Sequence, residues 1–120
     1  MTVEPLDAED AKLVVLARSA MARAEAGSGA AVRDADGRTY SGAPLGLSAL
    51  QLTALQTAVA AAVSSGAAGL EAAILVAGSA DDAGIAAVSE ISATAAVIIT
   101  DGAANVLHER VGRGLSAHHD

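Results

Sequence analysis

The chain has 120 residues, the length of one domain, and 52% of them are hydrophobic although only 1% are aromatic. No cysteine is present, which excludes a disulfide framework, a thiolate metal site and a thiol nucleophile. The net charge of −7 argues against binding to nucleic acid or to an anionic membrane surface, because both need clustered Lys and Arg. We expect a single domain over 1–120, with a core over 6–108 and a polar tail over 109–120.

No run of about 18 strongly apolar residues is present, so no membrane span is expected. The first ten residues carry acidic side chains instead of the basic region of a signal peptide. The expected location is therefore the cytoplasm.

The first half of the chain predicts a helix followed by a hairpin. Apolar residues recur at helical spacing over 8–26, and Asp7 can cap this helix. Two short strands, 30–33 and 38–41, flank an Asp-Gly turn, which is typical of a β-hairpin. Residues 42–46 are rich in Gly and Pro and are expected to form a loop.

The segment 48–65 has no charged residue and predicts a second helix. Its apolar residues cover most of the helical circumference, which is typical of a buried helix. In so small a domain, burial on several sides favours contact with a second copy of the chain as well as with the sheet.

The second half of the chain predicts a parallel pair of strands. Apolar strands over 70–77 and 95–100 flank a short helix over 83–92, which Asp82 can cap. Such a unit implies parallel strands with a right-handed crossover, and a weak last strand over 105–108 follows the turn at Asp101. The predicted fold class is α/β, a three-layer α/β/α sandwich with a mixed sheet of roughly five strands.

Three polar clusters are candidate metal sites in the sequence. The run Asp34-Ala35-Asp36-Gly37 resembles the start of a calcium loop, but it lacks the downstream Glu and favours a turn. The pair Asp81-Asp82 could hold a divalent ion, although a helix cap is favoured. His118 and His119 are expected to be solvated at the chain end.

Several runs resemble motifs of the cytidine deaminase family, and the likeness extends over roughly 8–108. The matching runs are Ser28-Gly29-Ala30-Ala31-Val32, Asp36-Gly37, Ser41-Gly42, Thr53-Ala54-Leu55-Gln56-Thr57-Ala58, Val63-Ser64-Ser65-Gly66, Glu71-Ala72-Ala73-Ile74-Leu75-Val76 and Ile98-Ile99-Thr100-Asp101-Gly102. The resemblance implies a zinc ion held by three cysteines, a glutamate that moves protons and a polar loop that binds the ribose.

Every one of these functional positions carries a different residue here. The three zinc-ligand positions are Thr53, Asp81 and Gly84, and the proton-shuttle position is Leu55. The substrate loop is Pro44-Leu45-Gly46, so Pro44 and Gly46 stand where the amide and the carboxylate are expected. No catalytic residue, metal or other cofactor is therefore predicted, because no group remains to activate a water molecule.

The sequence thus predicts a non-catalytic, zinc-free relative of the cytidine deaminases that acts as a structural or interaction module. Loss of a structural zinc removes a folding contribution on the order of 10 kcal/mol, and we expect Leu55 and close alanine packing to fill the former pocket. The family forms homo-oligomers, so a dimer or tetramer through the helix 48–65 is expected. The alternative is a nucleoside or nucleobase sensor with a reduced pocket and no turnover.

Overall fold

The computed structural model describes residues 6–103 and 105–111 of the chain. Its first element is helix α1, Ala8–Arg23. The predicted cap is confirmed, because Asp7 accepts a hydrogen bond from the backbone N–H of Asp10 at 2.8 Å. This bond satisfies one of the unpaired N–H groups of the first turn.

Helix α1 ends three residues before the predicted end of the 8–26 segment. Glu25 adopts a left-handed conformation with φ 52°, and the N–H of Ala26 reaches back to the carbonyl of Met21. This is the hydrogen-bond pattern of a helix C-terminal motif, which closes the helix before the glycine-rich run begins.

The predicted hairpin is confirmed as β1, Gly29–Asp34, paired antiparallel with β2, Thr39–Gly42. Asp34 is buried and closes the turn: it accepts hydrogen bonds from the N–H groups of Asp36 and Arg38 and from the Tyr40 hydroxyl. Burial raises the pKa of the Asp34 carboxyl, but these hydrogen bonds outweigh it and hold the pKa below its ordinary value. The structure therefore supports the turn interpretation of this run.

The end of the predicted loop 42–46 and the start of the predicted helix 48–65 together form a second, smaller hairpin instead. Its strands are β3, Leu45–Gly46, and β4, Gln51–Leu52, joined by mutual backbone hydrogen bonds between Leu47 and Leu50. Helix α2 therefore spans Ala54–Ser64, which is shorter than the predicted 48–65.

The remaining elements follow the predicted order. They are β5, Leu70–Val76, then α3, Gly84–Ile91, then β6, Ala96–Thr100, and β7, Val106–Val111. Strand β7 continues past the predicted end of the core, because its backbone pairs with β6 as far as Val111. Asp101 caps the turn before β7, and hydrogen bonds from the side chain and the backbone of Asn105 hold the pKa of its carboxyl below the ordinary value.

One mixed sheet of five strands, in the order β2-β1-β5-β6-β7, forms the middle layer. Strands β5 and β6 are parallel, as predicted, and the other neighbouring pairs are antiparallel. Helix α1 covers one face over a core that includes Leu13, Ile74 and Ile98. Helices α2 and α3 cover the other face over a core that includes Leu55 and Leu75, so the α/β/α sandwich is confirmed.

An ion-pair network ties α1 to the sheet. The side chain of Arg33 on β1 is 13% exposed and contacts Asp10 at 3.2 Å and Glu71 at 2.8 Å. Burial lowers the pKa of the Arg33 guanidinium, but the two carboxylates outweigh it and raise the pKa. Within 6–103 and 105–111, no helix has the length and apolarity needed to cross a membrane.

Candidate functional site

A cleft of about 670 Å³ lies where the first turns of α2 and α3 meet. Its walls come from four segments: Ser28 before β1, the β3–β4 hairpin with Pro44, the first turn of α2, and the loop 78–83 between β5 and α3. The volume lies within the range of about 300–1,000 Å³ that is typical of small-molecule sites.

Thr53 lies in this cleft and caps α2. Its hydroxyl oxygen accepts a hydrogen bond from the N–H of Gln56 at 3.1 Å, and its own N–H donates to Oε1 of Gln56 at 2.9 Å. The two residues form a capping box, which fixes both the start of the helix and the orientation of the Gln56 amide. The capping box was not among the predicted features, although the Thr-x-x-Gln spacing indicates it.

Asp82 joins the two helix N-termini. Its Oδ1 accepts hydrogen bonds from the Thr53 hydroxyl and from the N–H of Gly84, both at 2.6 Å. Asp82 therefore caps α3, as predicted, although the N-cap position itself falls on Ala83, whose side chain makes no capping bond. The contact with Thr53 bridges 29 positions of sequence, and no local pattern could have indicated it.

Leu55 is fully buried beneath the cleft in the core that α2 and α3 share. Gly84 packs directly on it: a Cβ atom built at Gly84 would lie 2.6 Å from Cβ of Leu55 and 2.7 Å from the backbone nitrogen of Gln56. Leu55 does not line the cleft, which remains open beside it. The expectation that the pocket becomes core is therefore wrong for the cleft as a whole.

The structure brings the other predicted positions to the same place. Asp81 is exposed at the rim, and its N–H donates to the Ser79 hydroxyl at 3.0 Å. Pro44 and Gly46 are exposed on the hairpin wall. The six positions that the resemblance singled out thus lie in or directly under one cleft, although they come from three separate stretches of the chain.

A family model described as cytidine deaminase-like matches residues 6–104. The chain belongs to the cytidine deaminase-like family. None of the curated proteins compared with the chain matches it.

Solved cytidine deaminases have the same fold. The chain is similar to the enzyme from Mycobacterium leprae, with a TM-score of 0.69 and 18% identity over 91% of this chain and 98% of that one. It is also similar to the enzyme from Burkholderia pseudomallei, with a TM-score of 0.66 and 21% identity over 82% and 91% of the two chains. A mutant cytidine deaminase from Mycobacterium tuberculosis gives a TM-score of 0.63 and 23% identity over 78% and 85%. At these identities the likeness shows the fold.

The zinc ion that this family implies does not fit the residues present. No side chain has room at Gly84, because the nearest contacts of an added Cβ include backbone atoms of α2. Thr53 is already committed to Gln56 and Asp82, and a neutral hydroxyl is a poor zinc ligand beside thiolate or imidazole. Among residues 6–103 and 105–111, no three His, Asp or Glu side chains cluster as a metal site would require. His118 and His119 lie outside the described residues.

Sequence reasoning also missed several polar residues of the cleft. Four of them, Ser28, Gln51, Gln56 and Ser79, line it. Within the part of the chain that the structure describes, no Lys, Arg or His is among the lining residues. Among the residues that the structure describes, the cleft of this cytidine deaminase-like chain thus has a largely apolar lining that carries two carboxylates and no cationic side chain.

Proposed function

We propose that this chain is a zinc-free member of its family that does not deaminate cytidine and that serves as a structural or interaction module. The packing of Gly84 against Leu55 carries the proposal, because it leaves no space for a third metal ligand between α2 and α3. The proposal includes the former functional positions that the resemblance implies. The former ligand positions are Thr53, Asp81 and Gly84, and the former substrate-loop positions are Pro44 and Gly46.

The burial of Leu55 supports the same proposal. A proton shuttle must reach the reacting water and the base, but position 55 carries hydrocarbon and faces the core. Without a metal or an acid–base group at this point, water in the cleft keeps its ordinary pKa and is a weak nucleophile.

The direct test measures metal content and turnover together. The protein is produced in zinc-supplemented medium, its zinc is quantified by mass spectrometry, and conversion of cytidine to uridine is followed by chromatography. The enzyme from Mycobacterium leprae serves as the positive control. We expect less than one tenth of an equivalent of zinc and no uridine, whereas stoichiometric zinc with uridine formation contradicts the proposal.

The interaction that we propose is self-association through α2. Ala60 and Val63 are exposed on this helix, with Val63 55% exposed, and the segment 48–65 carries no charge that would oppose a like surface. Two copies can therefore pack these small side chains closely in a homodimer or a tetramer. A cytoplasmic location is part of the proposal and is tested with a fluorescent fusion.

Light scattering on a sizing column tests this surface. We expect a dimer or larger at micromolar concentration, and Val63→Lys should shift it to monomer. Val15→Lys is the matched control, because Val15 is 64% exposed on α1 at the opposite face of the sheet. A monomeric wild-type chain, or equal dissociation by both variants, rules out the α2 interface.

A second candidate function is binding of a nucleoside or nucleobase without turnover. The open cleft of about 670 Å³ favours it, because a chain that only packs against partners needs no such pocket. A thermal-shift titration with uridine, cytidine and guanosine tests it. Any specific ligand raises the melting temperature with concentration, and no shift at millimolar ligand eliminates this candidate.

A further inference from the structure

The two edges of the five-stranded sheet differ in how they are protected. Edge strands that stay unpaired usually carry charged residues, prolines or bulges. The edge strand β7 carries Glu109 and Arg110 and has a bulge where it pairs with β6. The other edge strand, β2, has no charged residue or proline over Thr39–Gly42, and its pairing with β1 is regular. Strand β2 is therefore the edge that is open to a further strand.

The backbone of β2 directs hydrogen-bonding groups outward at two positions. The N–H of Asp34 donates to the carbonyl oxygen of Arg38 at 2.8 Å, so these opposed residues form a hydrogen-bonded pair of the hairpin. Hydrogen-bonded pairs alternate along antiparallel strands, so Tyr40 belongs to the next such pair with β1. The N–H and C=O groups of Thr39 and Ser41 consequently point away from β1.

These outward groups are complementary to the same groups of a second copy. A two-fold axis that passes beside Tyr40, perpendicular to the sheet, places Thr39 of each copy opposite Ser41 of the other. Both residues of each such pair direct a donor and an acceptor outward, so the two strands can form a symmetric antiparallel ladder. Tyr40 packs against the core under α2, so the side chains of Thr39 and Ser41 lie on the opposite face of the sheet.

Helix α2 lies above the same edge. A Cβ atom built at Gly42 would lie 2.7 Å from Cβ of Thr57, so the Thr57 side of α2 is directly over β2, and the helix also contacts β1. With strands about 4.8 Å apart, two α2 helices that each cover their own β1–β2 pair would lie about 10 Å apart across the axis. Packed helices are typically about 8–10 Å apart. The other side chains on this part of α2 are small: Ala60, Ala61 and Ser64.

The charge distribution favours a second copy as the partner. The chain has a net charge of −7, yet no charged residue lies between Thr39 and Leu70. This stretch contains both β2 and α2. Two copies can therefore meet here without placing like charges opposite each other.

We propose that β2 pairs antiparallel with β2 of a second copy, so that two five-stranded sheets join into one and the two α2 helices pack side by side. The inference rests on the self-association proposed above and names the strand contact that sets the register of the two copies.

Hydrogen exchange of the wild-type chain tests the pairing without any substitution. It is followed by mass spectrometry with fragmentation to single amides, at a concentration where light scattering shows an oligomer and after dilution to monomer. We expect the N–H groups of Thr39 and Ser41 to exchange at least about tenfold more slowly in the oligomer, because a backbone hydrogen bond contributes about that factor. The N–H of Tyr40, which is paired with β1, is the internal control and should be protected in both states.

Cross-linking gives a second test, because the chain has no cysteine and a single introduced one reports contact between copies. In Tyr40→Cys the two cysteines lie opposite each other, with Cα atoms about 4.5 Å apart, which a disulfide can span. Thr39→Cys is the matched control, because its counterpart lies diagonally across the pair at about 7–8 Å. We expect Tyr40→Cys to form disulfide-linked dimers at least about tenfold faster, although Thr39 is the more exposed position.

Ser41→Pro removes one outward N–H from each copy, a change that an edge strand tolerates, and should at least halve the mass of the oligomer. Ser41→Ala keeps this N–H and should leave the mass unchanged. Circular dichroism establishes that the variants fold, and the wild-type exchange decides if they do not. An oligomer in which Thr39 and Ser41 exchange as fast as in the monomer, or in which both cysteine variants cross-link equally, overturns the β2 pairing and leaves self-association through α2 standing. A monomeric wild-type chain overturns both.

Discussion

The contact between Gly84 and Leu55 gives the sharpest test of the site's geometry. In Gly84→Ala, the new Cβ would lie 2.6 Å from Cβ of Leu55, 2.7 Å from the nitrogen of Gln56 and 2.8 Å from the carbonyl carbon of Leu55. Two of these three atoms are backbone, so no side-chain rotation relieves the overlap. Helices α2 and α3 must move apart at their first turns.

The magnitude follows from two opposing effects. Forcing an extra carbon into a packed core costs about 1–3 kcal/mol, and contacts this short belong at the upper end. Replacing glycine by alanine in a helix gains up to about 1 kcal/mol. We expect the free energy of unfolding to fall by about 1–2 kcal/mol, which lowers the melting temperature by about 4–8 °C at this chain length.

Urea unfolding followed by far-ultraviolet circular dichroism measures this change, because the chain has no tryptophan to report by fluorescence. Gly27→Ala is the matched control, since an added Cβ there meets nothing within 4 Å. Its stability should change by less than about 0.5 kcal/mol. If Gly84→Ala is as stable as Gly27→Ala, the helices do not touch as described, and the steric argument against a metal ligand at Gly84 fails.

Three further predictions concern single side chains. The depressed pKa of Asp34 means that its stabilising contribution is complete above the unfolded pKa of about 3.9 and is lost as the pH falls through the folded pKa. In urea unfolding from pH 7 to pH 3, Asp34→Asn should therefore lose less stability on acidification than the wild type or Asp36→Asn, and parallel curves would contradict this. Thr53→Val removes the cap of α2 and the hydrogen bond to Asp82, and should lower the free energy of unfolding by about 1–2 kcal/mol in the same assay. An unchanged urea midpoint would show that the cap contributes nothing to stability. Leu55→Ala should lower the free energy of unfolding by about 2–5 kcal/mol, because Leu55 is fully buried. Leu50→Ala is its control, since Leu50 is 47% exposed. An equal loss in the two variants would contradict the core position of Leu55.

Local patterns predicted most of the fold. The Asp-Gly turn between two short strand-like runs identified the β1–β2 hairpin, because a hairpin turn depends on residues that are adjacent in sequence. The apolar strands on either side of α3 predicted the parallel pair β5–β6, because a helical crossover requires it. The same reasoning failed before α2. Residues 48–52 were predicted to be helical because they carry no charge, but they complete the hairpin that β3 begins, and the helix starts only at the Thr53 capping box.

The candidate site was predicted in part. Motif spacing named Thr53, Asp81, Pro44 and Gly46, and all four line one cleft. It did not indicate that Asp82, rather than Asp81, contacts Thr53, because the turn that precedes α3 decides which of the two neighbouring carboxylates faces α2.

The absence of cysteine and the types of the main helices and strands were determined by the sequence alone, because they depend on residue identity and on hydrogen bonds between near neighbours. Three features were decided only by the tertiary structure. Gly84 has no room for a side chain, and Leu55 lies under the cleft instead of filling it. Thr53 contacts both Gln56 and Asp82. These features depend on how closely two helices approach each other across the sheet, and that distance is set by packing between segments about 30 residues apart.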